Sequence, residues 1–96
     1  MTTVTFHTEG SRLTGFDMQG HSGYAPQGED IVCAALTSAV RLTECAVNDV
    51  LGLEAPVKVR DKDAYLSLKL PKALDPDSGS LCQTLLAALL VHCVQL

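Results

Sequence analysis

Tryptophan is absent from this chain, and only two tyrosines and two phenylalanines stand among its 96 residues. Apolar residues still make up 47% of it, so the core must be aliphatic. A chain of this length hides roughly 60% of its unfolded surface, enough for one domain over residues 1–96 and no second core. Positive charge is also scarce. Seven Lys and Arg face eleven Asp and Glu, a formal net charge of −4. No basic run is interleaved with aromatics, which argues against direct nucleic-acid binding. The opening Met1-Thr2-Thr3-Val4-Thr5 has no charged segment leading into an apolar run, so no signal peptide is expected. The longest apolar run lies near the C-terminus and breaks at His92, short of a membrane span.

Cysteine occurs four times, at 33, 45, 82 and 93, and never as C-x-x-C. The spacing of His to Cys matches no common structural zinc site, so neither a metal nor another cofactor is expected. Cys45, Cys82 and Cys93 fall in apolar helical patterns and nothing points to secretion. The expectation is reduced thiols in a cytoplasmic protein.

Two strands are expected at residues 2–8 and 12–19, where Val4 and Phe6, then Phe16 and Met18, alternate with polar or small neighbours. Glu9-Gly10-Ser11-Arg12 supplies a hairpin turn. Asp30 reads as the N-cap of a helix running to about Leu51, with Gly52 as its αL stop. Val32, Ala35, Leu36, Ala39, Leu42, Ala46, Val47 and Val50 form its broad apolar face, where Cys45 reads as ordinary packing. Cys33 lines up with Thr37, Val40 and Glu44 on a mixed edge.

A third strand starts at Pro56, a fourth carries Leu66, Leu68 and Leu70, and Asp61-Lys62-Asp63 turns between them. Ser80 with Gln83 resembles a capping box opening a second helix to the chain's end. The expected fold is therefore α+β: a two-layer ββαββα domain with a four-stranded, largely antiparallel sheet and two helices. Leu90, Val91 and Val94 leave the second helix apolar on more than one side. They suit either packing on the first helix or contact with a second copy. The chain stops at Leu96 in mid-pattern, which suggests a few further residues in the native protein.

The segment from Gly20 to Ala35, GHSGYAPQGEDIVCAA, carries the chemistry. It brings one histidine from a glycine-rich loop and one cysteine from the expected first turn of a helix. Thiols react as thiolates, and both a helix N-terminus and a neighbouring imidazole favour that form. His21 can act as the acid and base partner of Cys33, and first-turn N–H groups can receive an oxyanion. Asp30 has two candidate roles, capping the helix or orienting His21. Gly20, Ser22, Gly23, Tyr24 and Gly28 belong to a loop long enough to fold over an extended peptide. His7 is expected to face solvent, and His92 to be structural or interfacial.

The pattern G-H-S-G-Y-A-x-x-G-x-D-I-V-C-A-A, set between a hairpin and the first helix of a chain this short, resembles the ribosomal-processing cysteine protease (Prp) family. The resemblance is close over residues 20–35 and agrees in layout elsewhere. It implies a homodimeric thiol protease that removes the N-terminal extension of a large-subunit ribosomal protein by cutting after an aromatic residue. Catalysis then falls to His21 and Cys33. Asp30 matches the aspartate before Ile-Val-Cys, and Thr37, with Ser38 beside it, stands where family members often carry serine. Two other classes stay open: a non-catalytic ribosome-associated peptide-binding module, and a thiol redox or acyl-transfer protein. The redox version lacks a resolving cysteine near Cys33.

Overall fold

A computed structural model describes residues 2–20, 27–60 and 64–96, with residues 27–30 described as backbone only. The elements run β1 (Thr3–Glu9), β2 (Arg12–Gln19), α1 (Gln27–Cys45) closed by a π turn (Ala46–Val50), β3 (Val57–Arg60), β4 (Tyr65–Lys69) and α2 (Pro76–Gln95). The fold is α+β, ββαββα, as expected. All pairings are antiparallel and the strand order is β1-β2-β4-β3. Two hairpins thus lie side by side.

Register turns the alternating pattern into two apolar rows that cross the whole sheet. One is Val4, Met18, Leu66 and Val59; the other is Phe6, Phe16, Leu68 and Val57. A one-residue slip would send every member of a strand to the wrong face. Phe16, Met18, Leu66 and Leu68 meet Val40 and Val47 of the first helix and Cys82, Leu86 and Leu89 of α2 in one core. Gly15 sits where β4 crosses closely: an added Cβ would come within 2.4 Å of the Leu68 carbonyl oxygen.

Both helices start earlier than the sequence signals suggest. The first begins at Gln27, so Asp30 is its fourth residue and not its N-cap. The second begins at Pro76, capped by Asp75, whose carboxylate accepts from the Ser78 N–H at 3.1 Å. Proline at the first helical position explains the choice, because its missing N–H would have had no partner there. Gln83 is consequently not part of a capping box. Its amide donates to the Leu13 carbonyl at 2.7 Å and accepts from the Leu13 N–H at 2.8 Å, fastening α2 to β2.

The buried stripe of α1 also differs from the expected one. Leu36, Val40, Thr43 and Val47 face the core, while Val32, Leu42 and Val50 are exposed. Val40, assigned from sequence to a mixed edge, is fully buried, and Cys45 is exposed. The helix is rotated toward its Cys33–Val40 edge because the sheet rows already provide an apolar floor there. Gly52 adopts φ 68°, the left-handed stop expected of it.

Candidate active site

Cys33 is the seventh residue of α1, half-buried, on the edge that leads into the core stripe. The first turn, residues 27–30, lies one to two turns before it. Two corrections follow. The N–H of Cys33 falls beyond the four unpaired donors of a helix start, so its own amide is not among them. The dipole effect is largest within the first turn, so Cys33 lies beyond the stretch where a helix start most favours an anion.

Other groups meet the thiol instead. Thr2, just before β1, brings its hydroxyl into hydrogen-bond contact with Cys33 Sγ. The alternation of β1 points Thr2 the same way as Val4 and Phe6, toward the helices, so the start of an edge strand lies on the start of α1. Thr37 uses its hydroxyl on the Cys33 carbonyl, 2.8 Å away, and so braces the backbone instead of facing the sulfur. Ser38 lies elsewhere, in the groove between α1 and α2 with Ala39, Leu42 and His92.

Gly20, the residue before His21, is described: its N–H donates to the Ala64 carbonyl at 3.1 Å. A Cβ there would come within 2.7 Å of the Ala64 Cβ, so glycine permits this close approach. The contact ties the exit of β2 to the β3–β4 hairpin. His21, Ser22, Gly23 and Tyr24 lie outside the described residues, as does the side chain of Asp30. The backbone of Gly28 and Asp30 forms the first turn of α1.

Two cavities adjoin the Cys33 region. One, of about 270 Å³, runs past Thr37 and Arg41 to Met18, Arg60 and Tyr65. The other, of about 280 Å³, is apolar and begins at Thr2, with Phe6, Leu36, Leu90 and Val94 among its walls. Leu90, assigned from sequence to an outward stripe, faces this cavity. Among the described residues no cluster of His, Cys, Asp and Glu has metal-site geometry.

The other three thiols differ from Cys33 in their surroundings. Burial pushes the Cys82 and Cys93 thiols up, and a hydrogen bond with Asp49 pushes Cys45 up. Cys45 also lies roughly 18 Å along the helix from Cys33 at 1.5 Å per residue, outside disulfide range. His7 faces solvent as expected and pairs with Asp17 at 2.8 Å on the open side of the sheet.

The model of the family described as cysteine protease Prp matches residues 1–96. The chain belongs to the Prp family. The ribosomal processing cysteine protease Prp of Bacillus subtilis is 31% identical over 79 residues, covering 82% of this chain and 70% of the Bacillus protein. The crystal structure of an essential ribosomal processing protease Prp from S. aureus, in complex with a substrate peptide, superposes with a TM-score of 0.83. It shares 19% identity and covers 99% of this chain and 87% of its own. SMU.848 from Streptococcus mutans superposes with a TM-score of 0.79 at 25% identity, covering 95% and 78% respectively. This chain is thus a cysteine protease of the ribosomal-processing Prp family. Thr2 is the neighbour of Cys33 that sequence reasoning did not single out. Its signal was a threonine at the inward end of the Val4–Phe6 alternation.

Proposed function

We propose that Cys33 and His21 form the catalytic dyad of a cytoplasmic endopeptidase, folded as a single domain over residues 1–96. It removes the N-terminal extension of a large-subunit ribosomal protein by cutting after an aromatic residue, without a cofactor. The observation that carries this reading is the half-buried Cys33 at the edge of the core, with one cavity at its neighbour Thr2 and another at Thr37, in a chain of this family. The substrate strand crosses the start of α1 in an extended form. Its aromatic side chain is taken by the apolar cavity beside Thr2, and the glycine-rich segment from Gly20 to Gly28 serves substrate binding. Ser22, Gly23 and Tyr24 belong to that substrate segment, and Asp30 is a supporting residue for catalysis.

In the reaction the Cys33 thiolate attacks the scissile carbonyl, forming a C–S bond as the carbonyl electron pair moves to oxygen. The tetrahedral adduct collapses, the C–N bond breaks, and His21 gives its proton to the departing amine. Water, deprotonated by His21, then cleaves the thioester and returns the thiolate. The test is incubation with a peptide spanning the extension and cut site, followed by sequencing of the new N-terminus. Cys33→Ala should bind the peptide without cutting it, and His21→Ala should lose most turnover. Cleavage by Cys33→Ala at the parent rate would overturn the assignment in favour of a peptide-binding module.

The protease acts as a homodimer in this proposal. A groove of about 550 Å³ between α1 and α2 is lined mainly by apolar side chains, Ala35, Ala39, Leu42, Leu85 and Ala88 among them. Leu42 is 70% and Val91 52% exposed, and apolar residues this exposed on two neighbouring helices suit a symmetric partner. Leu42→Glu should convert a dimer to a monomer in light scattering. A monomeric parent protein at micromolar concentration would count against it.

A further inference from the structure

We propose that Thr2 is a positioning residue for the reacting thiol: its hydroxyl donates a hydrogen bond to the Cys33 sulfur and holds it as thiolate beside the apolar cavity. This rests on Cys33 being the nucleophile. The contact is Thr2 Oγ1 with Cys33 Sγ, between residues 31 apart in sequence. A thiolate can only accept, so once the sulfur is charged the hydroxyl must be the donor. Hydrogen bonds to an ionised partner are about twice as strong as neutral ones.

Three features make this contact more than incidental packing. Thr2 is the polar member of an inward stripe otherwise made of Val4 and Phe6, and it lines the same cavity as they do. The hydroxyl nearest along the helix, that of Thr37, is committed to the Cys33 carbonyl. Cys33 also lies past the first turn of α1, where the helix dipole gives least help. The β-branch of Thr restricts χ1, so the hydroxyl is held in few orientations. No proton leaves Thr2 during the reaction. As the C–S bond forms, the sulfur loses its charge and the hydrogen bond weakens, so Thr2 sets the thiolate population and its aim and takes no part in acid–base transfer.

The experiment uses the full chain with Thr2→Val, which keeps the β-branch and removes the hydroxyl, Thr2→Ala as a second hydroxyl-free variant, and Thr2→Ser. Alkylation of Cys33 by iodoacetamide is followed by peptide mapping from pH 5 to 9, alongside cleavage of the substrate peptide. Loss of one charge-assisted hydrogen bond should move the midpoint of the alkylation profile up by about one pH unit. Cleavage below the parent midpoint should fall roughly tenfold in kcat with KM unchanged, and the deficit should close at high pH. Thr2→Ser should restore the parent profile. Unchanged profiles in Thr2→Val and Thr2→Ala, or a Thr2→Ser profile as displaced as theirs, would overturn the proposal. A failure of the underlying assignment looks different: Cys33→Ala would itself still cleave.

Discussion

The molecule is two ββα halves, and each helix carries a cysteine at its seventh position: Cys33 in α1 and Cys82 in α2. Both sit on the side of their helix that turns toward the sheet. Cys82 is completely buried in the common core, and burial pushes its thiol up. Cys33 is half-buried and its sulfur meets the hydroxyl of Thr2. The same position in the same local plan thus yields a small core residue in one half and, in the other, a half-buried thiol that we propose as the nucleophile. Strand placement decides between them. Cys82 belongs to the core shared with Phe16, Leu68 and Leu86, whereas Cys33 lies where edge strand β1 begins.

The largest test of that contrast exchanges the two losses. Cys33→Ala should reduce peptide cleavage by roughly three orders of magnitude or more, as removal of a nucleophile does, while leaving thermal unfolding little changed. Cys82→Ala should keep cleavage in the folded protein and lower stability by about 1–2 kcal/mol, through lost contacts and a cavity between α2 and the sheet. If Cys82→Ala lost cleavage with its melting temperature intact, the division between scaffold half and reactive half would be wrong.

That division was only partly legible in the sequence. Period-two alternation in β1, β2 and β4 gave the strands, because each buries one face, and Gly52 marked the helix end through its backbone requirement. The helix starts misled for a physical reason. Asp30 and Ser80 are good caps on local chemistry, but Asp75-Pro76 is a stronger start than Ser80, and α1 takes a further turn before Asp30. Helix rotation was equally hidden. Alanines and valines surround α1, so the buried stripe through Leu36 and Val40 emerges only when the sheet rows are in place. Cys33 stood out from its local motif, whereas Thr2 gains meaning only through the pairing that brings residues 31 apart together.

A smaller effect sharpens the comparison among all four thiols. Iodoacetamide at pH 6.5 should label Cys33 well before Cys82 and Cys93, whose thiols burial holds in the neutral form. Exposed Cys45 is the informative control, since a hydrogen bond with Asp49 holds its thiol in the neutral form and access is not its limit. Equal labelling of Cys33 and Cys45 in the folded protein would mean that exposure, and no local stabilisation of the thiolate, governs reactivity.

The smallest effect concerns what anchors the scaffold half. Hydrogen bonds from the Ser78 side chain and backbone N–H hold the Asp75 carboxyl below the usual carboxylate range. A depressed value means the folded state favours the ionised form. The stabilisation is therefore complete above the ordinary Asp value of about 3.9 and is lost as pH falls through the lower folded value. Urea unfolding of Asp75→Ala should show a deficit against the parent at pH 7 that narrows as the pH falls below the ordinary Asp value of about 3.9. Asp75→Asn, an uncharged cap of comparable strength, should remain near the parent at low pH. Neither substitution should alter the labelling preference for Cys33, because the cap lies in the other half of the molecule. A deficit in Asp75→Ala that stayed constant from pH 7 to pH 2 would show that the charge on Asp75 contributes nothing to holding α2 in place. The anchoring would then rest on Pro76 and the Gln83–Leu13 pair alone.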